Sequence, residues 1–516
     1  MANDKVDVGM KMVPDSERAS IGDGQLEKVV EDLDNARHDK ALALLAEHHV
    51  SFDPSSPEAK RVLQKIDYRI MPLIIGIYTL MLVDKNSLSF ANIMNIKEDT
   101  NLTDSQYSWL GSIVYFGYLA GEIPVTFLMQ RVPIGKFFAV MSMIWGIIEM
   151  LHAACHNFGG LLAVRFLLGM IEVSTAPVVI YILGSWYTKE EQVSRVAIWY
   201  VSSGLGTVVG GFFAWIIYHA QSFRWQALFL YEGGLTLGIG ILLWFVLAAS
   251  PTEATWLSEE EKVLALERVR ENKTGTEVWR FNKSQLIEAF CDVRFYLVFM
   301  ILVSIGLPNG GITVFGPAII SAFGFNDEQT TLLSMVPGAA AILGTFVALG
   351  VAKYTNRTGG AIFTLLLSCI GVIMMLTIDP AHYVSRYGGY ILTMQFPICV
   401  LFLVAFMTAG VGGTTKKLAF SASYQLGYTV GNIIGPQTYR ASDAPDYPIA
   451  KYTMLAFLIF SLFLFALFGL IHRLWNIKRD KQDAVDEQNG VPRRHVENEE
   501  FADLTDFNQK SLRYPE

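Results

Sequence analysis

The sequence is short of charge and of cysteine, and it has no apolar leader. Charged residues make up 17% of its 516 residues, against about 25% in soluble domains, so a set of ordinary soluble domains is excluded. Its four cysteines lack any metal-ligand spacing, and we interpret them as free thiols and predict no metal site. Residues 1–66 are mostly polar and contain no short apolar h-region, so we predict no cleavable signal peptide.

Motifs for enzymatic chemistry are also missing. The sequence has no Walker A motif, no HExxH run and no recognisable Ser-His-Asp set, so we predict that it is not an enzyme and has no cofactor. The glycine-rich run from Gly204 to Gly211 lacks the spacing of a dinucleotide loop, and we interpret it as close helix packing. The net charge of −8 comes mostly from the tails and a central loop, and no basic patch predicts nucleic-acid binding.

What the chain does have is long apolar runs. A bilayer core about 30 Å thick needs around 20 mostly apolar residues in a helix. Twelve runs satisfy this requirement, and we number them as spans 1 to 12: 67–91, 106–129, 134–154, 159–183, 196–218, 226–248, 293–321, 330–353, 361–378, 388–410, 418–437 and 452–474. The lipid bilayer is therefore the first predicted partner of this chain.

The lysines and arginines orient these spans. Cytoplasmic loops collect basic residues. With both termini in the cytoplasm, the outer loops hold only these five basic residues: Lys97, Arg224, Arg386, Arg440 and Lys451. Most of the others fall in the inner loops, their flanks and the tails. We therefore predict that both termini are cytoplasmic.

This layout predicts an all-α membrane protein with two six-helix halves around a midplane site, which is a transporter architecture. The predicted regions are a largely disordered cytoplasmic tail (1–66), an N-terminal half (67–248), a cytoplasmic central loop (249–292), a C-terminal half (293–474) and a disordered cytoplasmic tail (475–516). In the central loop, Ser258 and Glu261 form a capping box ahead of a short amphipathic helix.

A few ionisable residues lie within the spans, where charge is costly and indicates function. They are Asp84 and Lys85 in span 1, Glu122 in span 2, and Arg165 and Glu172 in span 4. Glu149 and His152 lie near the outer end of span 3, where we expect water to reach them, and we interpret Glu149 as structural.

Arg165 and Glu172 are seven residues apart, so they share one helix face about 10 Å apart along the axis. Gly169 lies between them, and we interpret it as the floor of a small gap. A guanidinium suits a substrate carboxylate, while a carboxylate in low dielectric takes up a proton more readily than in water. A fixed ion pair between helices is the structural alternative.

Several motifs resemble those of the anion:cation symporter family of the major facilitator superfamily, in particular its fungal allantoate permease subgroup. They are the run from Asp84 to Asn92, the run from Gln106 to Leu119, Arg165-x3-Gly-x2-Glu172, Leu151-His-Ala-Ala-Cys-His-Asn157, Trp256-Leu-Ser-Glu-Glu-Glu261, Gly431-Asn-Ile-Ile-Gly-Pro436 and Asp443-Ala-Pro-Asp-Tyr447. The resemblance covers about residues 62–475.

The resemblance implies a proton-driven importer that works by rocking of its two halves. It assigns proton coupling to Asp84 and Glu172. It assigns the substrate to Lys85, Arg165, Tyr118, Asn309 and Asn432. Glu122 stands where relatives often have a neutral residue, and we add it to the predicted substrate site. Lys85 replaces the arginine of most of the wider family, and a lysine lacks the planar fork for two-point carboxylate binding.

We therefore predict a monomeric plasma-membrane symporter for a small carboxylate and protons, such as allantoate, ureidosuccinate, a related acid or a short peptide. Asn101 (Asn-Leu-Thr) is a glycan site in a predicted outer loop, or else an unused sequon. Two other functions stay open. One is a proton-antiport efflux pump for a toxin or secondary metabolite, and the other is a nutrient sensor that does not transport.

Overall fold

The fold is helical throughout the part of the chain that the structure describes. The computed structural model describes residues 56–129, 131–219, 224–248, 250–270, 282–488, 504–509 and 512–515. These residues form α-helices, short 3₁₀ turns and connecting loops, and no strand. The all-α prediction is confirmed. The predicted N-terminal tail up to residue 55 and the middle of the central loop lie outside the described residues.

Helices occupy all twelve predicted spans. In the N-terminal half they run over Pro57–Ile93, Asp104–Met129, Ile134–Leu151, Phe158–Glu172 with Thr175–Trp186, Lys189–Tyr218 and Arg224–Val246. In the C-terminal half they run over Val293–Ala322, Asp327–Leu333 with Val336–Tyr354, Arg357–Thr377, Tyr383–Thr393 with Cys399–Gly410, Thr414–Ile434 and Pro448–Gln488. Ten of the described helical segments are long and apolar enough to cross a membrane.

The two halves repeat one packing pattern. Span 1 packs against spans 5 and 6, and span 7 packs in the same way against spans 11 and 12. Span 3 packs against span 6 as span 9 does against span 12. The halves meet where span 1 contacts span 7, span 2 contacts span 11 and span 5 contacts span 8. This repeat is the internal symmetry of a transporter built from two six-helix units.

Small residues allow the closest helix contacts, as the spacing predicted. A Cβ on Gly117 or Gly121 would lie 2.2 or 2.4 Å from a backbone oxygen of span 4. Between the halves, a Cβ on Gly204 of span 5 would lie 2.7 Å from the backbone oxygen of Gly338 of span 8, and a Cβ on Gly338 would lie 2.6 Å from that of Gly204. The packing interpretation of the run that begins at Gly204 is confirmed, because a side chain at Gly204 would force the helices apart.

Large apolar side chains cover the outside of the bundle. Ile123 is 80% exposed, Phe245 78% and Leu343 67%. Contiguous apolar surface of this kind is rare on soluble monomers. On a twelve-helix bundle it is the surface that faces lipid.

Two polar contacts between the halves lie toward the end of the bundle away from the central loop. Near that end the Tyr107 hydroxyl donates to the carbonyl oxygen of Val314 at 3.0 Å. Nearer the middle, the Ser112 hydroxyl donates to the carbonyl oxygen of Ile433 at 2.8 Å. These bonds join the two halves.

The central loop contains the predicted short helix. It spans Glu259–Arg270, and the capping box is present: Ser258 N–H donates to Glu261 at 3.1 Å and Glu261 N–H donates to the Ser258 hydroxyl at 3.2 Å. Lys65 contacts Glu261 and lowers the pKa of this carboxyl. A second helix in this loop, Lys283–Cys291, packs against span 11.

The C-terminal tail, which we expected to be disordered, is folded at 504–509 and 512–515. Asp506 is fully buried between Arg294 of span 7, at 2.5 Å, and Lys416 of span 11, at 2.9 Å. Arg479 of the long last helix donates to the carbonyl oxygens of Asp506 and Leu512. The tail thereby joins three helices of the C-terminal half.

Candidate substrate and proton site

The main cavity lies between the two halves. Its volume is about 220 Å³, and spans 1, 5, 7, 8, 10 and 11 line it. Its polar lining includes these side chains: Tyr78, Lys85, Asn86, Ser89, Asn309 and Tyr428. Among the described residues that line it, Lys85 is the one charged side chain. The cavity therefore suits a small polar molecule with one negative charge.

Lys85 joins this cavity to the buried carboxylate of span 4. Its Nζ lies 3.5 Å from Oε1 of Glu172 and 5.3 Å from the ring centre of Tyr118. The Tyr118 hydroxyl also faces the Glu172 carboxylate. The Lys85 side chain is 16% exposed and that of Glu172 is 1% exposed. The lysine is thus the member of the pair that a bound molecule can reach.

Asn309 enters the cavity from span 7, and span 11 holds it in place. Its Nδ2 donates to the Tyr428 hydroxyl at 2.9 Å and to Oδ1 of Asn432 at 2.8 Å. Asn432 is fully buried and donates to the carbonyl oxygen of Tyr428. The two predicted asparagines therefore come together, with Asn309 at the cavity and Asn432 behind it.

Arg165 lies beside a second, much smaller cavity. That cavity has a volume of about 20 Å³, and its lining includes Asp84, Lys85, Arg165 and Glu172. It has room for little more than one water molecule. Arg165 is 3% exposed, and the Asp84 carboxylate faces it. The structure thus brings the four predicted charges together, but Lys85 alone of them lines the larger cavity.

Trp145 of span 3 fixes the orientation of Asp84. Its indole N–H donates to Oδ2 of Asp84 at 2.6 Å. Asp84 is 2% exposed. A hydrogen bond from a buried indole stabilises the anionic form of a carboxylate.

Gly169 has a different role from the one we expected. A Cβ at this position would lie 2.0 Å from the carbonyl oxygen of Val114. Gly169 therefore allows span 4 to touch the backbone of span 2, and its interpretation as the floor of a gap was wrong. Glu122 is half-buried on span 2 and is not among the residues that line either cavity in the described part of the chain.

Sequence reasoning missed one buried carboxylate and misplaced another. Glu232 of span 6 is 2% exposed, and the Ser87 hydroxyl of span 1 contacts it. It sits in a predicted span, so the rule that selected Glu172 would have found it. Glu149 and His152, which we expected water to reach, are 1% and 0% exposed. Spans 4 and 6 pack against this end of span 3.

Comparison with known proteins identifies the family. The chain matches the family model described as Major Facilitator Superfamily over residues 74–436. It belongs to this superfamily. It is therefore a membrane transporter and not an enzyme.

Two curated relatives and one solved structure agree with this assignment. The chain is 33% identical to an uncharacterised transporter of Schizosaccharomyces pombe, over 90% of this chain and 91% of the relative. It is also 33% identical to the allantoate permease of Saccharomyces cerevisiae, over 92% of this chain and 90% of the permease. The resemblance to fungal allantoate permeases is confirmed.

A bacterial homologue of the human lysosomal transporter Spinster, in an inward-facing unoccupied conformation, superposes with a TM-score of 0.62 at 16% identity, over 81% of this chain and 97% of that one. This likeness shows the fold.

Proposed function

We propose that the protein is a proton-coupled symporter that imports a small organic anion. The observation that carries this proposal is the pair of Lys85 and Glu172. The lysine is the one charged side chain among the described residues lining the main cavity, and its partner is a fully buried carboxylate 3.5 Å away. A proton on Glu172 removes the lysine's partner, and a substrate carboxylate can replace it. Proton binding and anion binding are thereby linked.

The cavity favours a monoanion with a neutral polar body. Lys85 supplies a compact positive charge, which suits a single carboxylate. Asn309, Tyr428 and Ser89 supply neutral hydrogen-bonding groups. Ureido acids such as allantoate have this chemistry, and the name of the yeast relative supports the same class.

Asp84 and Arg165 complete the cycle that we propose. Protonation of Glu172 and Asp84 from outside frees Lys85 and Arg165. Lys85 then holds the anion in the main cavity, and Arg165 adds positive potential from the adjoining small one. Reopening to the inside lets the carboxylates lose their protons and recapture both cations, which expels the substrate anion.

The location in the cell also belongs to this proposal. We place the protein in the plasma membrane as a monomer with both termini in the cytoplasm. Asn101 then faces outward. It is exposed, with a φ of 52°, in the turn before span 2. A mobility shift on glycosidase treatment that is absent in Asn101→Gln would support both the glycan and the orientation.

Uptake into proteoliposomes tests the transport proposal. The purified protein is reconstituted, a pH gradient is imposed with the outside acidic, and labelled allantoate, ureidosuccinate and short peptides are offered in turn. Accumulation that a protonophore abolishes supports symport. Accumulation only when protons flow in the opposite direction to the substrate would indicate an efflux antiporter. Binding without movement of any of these compounds would indicate a sensor.

A further inference from the structure

Two buried carboxylates of the N-terminal half take no part in the cycle described above. Glu149 lies on span 3 and Glu232 on span 6, and these two spans are packed together. The side chains are 1% and 2% exposed. Glu149 faces Asp84 and Arg165, and Glu232 faces the same two residues.

The carboxyl of Glu149 is buried, and it lies in hydrogen-bond contact with another carboxyl, that of Asp84. Neither of its oxygens accepts a hydrogen bond within the described part of the chain. In Glu232, one oxygen is in contact with the Ser87 hydroxyl and the other, Oε1, is buried and unpartnered. An ionised carboxylate in such a place would lose its hydration and gain almost nothing in return.

His152 does not supply the missing positive charge. Its Nδ1 lies 3.0 Å from the backbone oxygen of Glu149 and 3.7 Å from Oε2 of the same residue, so this nitrogen carries a hydrogen that the backbone oxygen accepts. Its Nε2 is buried without a partner. The ring stacks on Phe229 with centroids 4.6 Å apart, and the Arg165 guanidinium lies 5.6 Å from the centre of that same Phe229 ring. A second cation beside Arg165 would be repelled.

The charges in this region do not balance unless protons are bound. The connected carboxylates are Asp84, Glu149, Glu172 and Glu232, and the cations that face them among the described residues are Lys85 and Arg165. Lys85 pairs with Glu172. Asp84 has both the Trp145 indole and the neighbouring Arg165. Glu149 and Glu232 are left with no cation of their own.

We propose that Glu149 and Glu232 form a second proton-binding pair, which holds two protons in the conformation seen here and releases them during the transport cycle. This inference rests on the proposed proton-coupled function. Its two protons add to those exchanged at Glu172 and Asp84. While these protons are bound, the Arg165 guanidinium remains available to Asp84, because deprotonation of either glutamate would bring a competing anion beside the guanidinium.

The proton-to-substrate ratio of reconstituted protein tests the pair. Glutamine mimics the protonated side chain and cannot release a proton, so Glu149→Gln and Glu232→Gln should each lower the ratio by about one. Glu98→Gln, a change of the same chemistry at an exposed position in the short helix Ile96–Asp99 after span 1, should leave the ratio unchanged. A wild-type ratio in both buried variants, with proton-coupled uptake intact, overturns the proposal.

Infrared spectroscopy separates failure of this pair from failure of the proposed function. If the wild-type protein shows no proton-coupled uptake, the C=O stretch of protonated carboxylic acids at neutral pH still shows whether Glu149 and Glu232 hold protons. Loss of part of that band in Glu149→Gln and in Glu232→Gln, but not in Glu98→Gln, supports the pair. An unchanged band in both variants overturns it.

Thermal stability is a further check that the variants remain folded. A protonated glutamate and a glutamine have the same shape and neither carries charge, so little change in melting temperature is expected. A much lower melting temperature in both variants would indicate that the two carboxylates are ionised and balance the positive charge of Arg165. That result would contradict the proposal.

Discussion

The ammonium group of Lys85 lies 3.5 Å from the carboxylate of Glu172, across the boundary between an accessible cavity and the buried interior of the N-terminal half. Each side chain is the other's closest opposite charge in this arrangement, but only the lysine reaches the cavity. A ligand can therefore compete for the cation, and a proton can compete for the anion.

Replacing Glu172 by glutamine should uncouple transport from protons. The amide cannot gain or lose a proton and leaves Lys85 permanently available to the anion. We expect exchange of labelled for unlabelled substrate to continue, while accumulation driven by a pH gradient is lost. Counterflow and gradient-driven uptake in proteoliposomes measure the two activities. Full uphill uptake by this variant would contradict the coupling role.

Replacing Lys85 by glutamine should weaken substrate binding. Hydrogen bonds to charged groups contribute about 1.5–3 kcal/mol, which corresponds to roughly a 10- to 100-fold rise in Kd. Lys85→Arg keeps the charge and should retain most of the affinity. Direct binding to purified protein measures both. Equal affinity in wild type and Lys85→Gln would place the anion elsewhere.

Glu122 offers a matched carboxylate on the neighbouring span 2. It lies on neither described cavity, so Glu122→Gln should leave the KM for substrate within about twofold of wild type, which is less than 0.5 kcal/mol. The measurement is the concentration dependence of uptake. A tenfold change in KM would support the substrate-binding role that the sequence predicts for Glu122.

Replacing Gly169 by alanine should destabilise the N-terminal half. The new methyl group would lie 2.0 Å from the carbonyl oxygen of Val114, so spans 2 and 4 must separate. Overpacking of this kind costs about 1–3 kcal/mol. Gly184, in the helix Thr175–Trp186 that follows, has open space at the Cβ position, so Gly184→Ala is the control. A lower melting temperature in detergent is expected for Gly169→Ala alone.

Removing the charge of Asp506 should destabilise the C-terminal half. Although burial alone would raise the pKa of Asp506, Arg294 and Lys416 hold it below its usual range. Loss of one partner from a buried ion pair costs about 3–5 kcal/mol. We expect Asp506→Asn to melt well below wild type, whereas Asp480→Asn, which alters an exposed pair with Arg513, should melt close to it.

This difference should also depend on pH. A carboxyl whose pKa is lowered on folding stabilises the folded state above its unfolded pKa, and that contribution is lost as the pH falls through the folded value. The difference in stability between wild type and Asp506→Asn should therefore be largest at neutral pH and decrease only below about pH 4. A gap that is constant down to strongly acidic pH would exclude the ionic explanation.

The sequence by itself determined the elements and the kind of protein. Long apolar runs can satisfy their backbone in lipid only as helices, so hydropathy located every span. The cost of charge in lipid marked Asp84, Lys85, Arg165 and Glu172, and the structure brings all four together. Helical periodicity also placed Arg165 and Glu172 on one buried face.

Only the tertiary structure decided which space each side chain faces. Periodicity orders residues around their own helix, but neighbouring helices decide whether a face meets a cavity, a backbone or lipid. For this reason Lys85 lines the main cavity while Arg165 does not, and Gly169 serves a helix contact. Glu149 and Glu232 come from different spans, and they share one buried region because spans 3 and 6 pack together beside span 1.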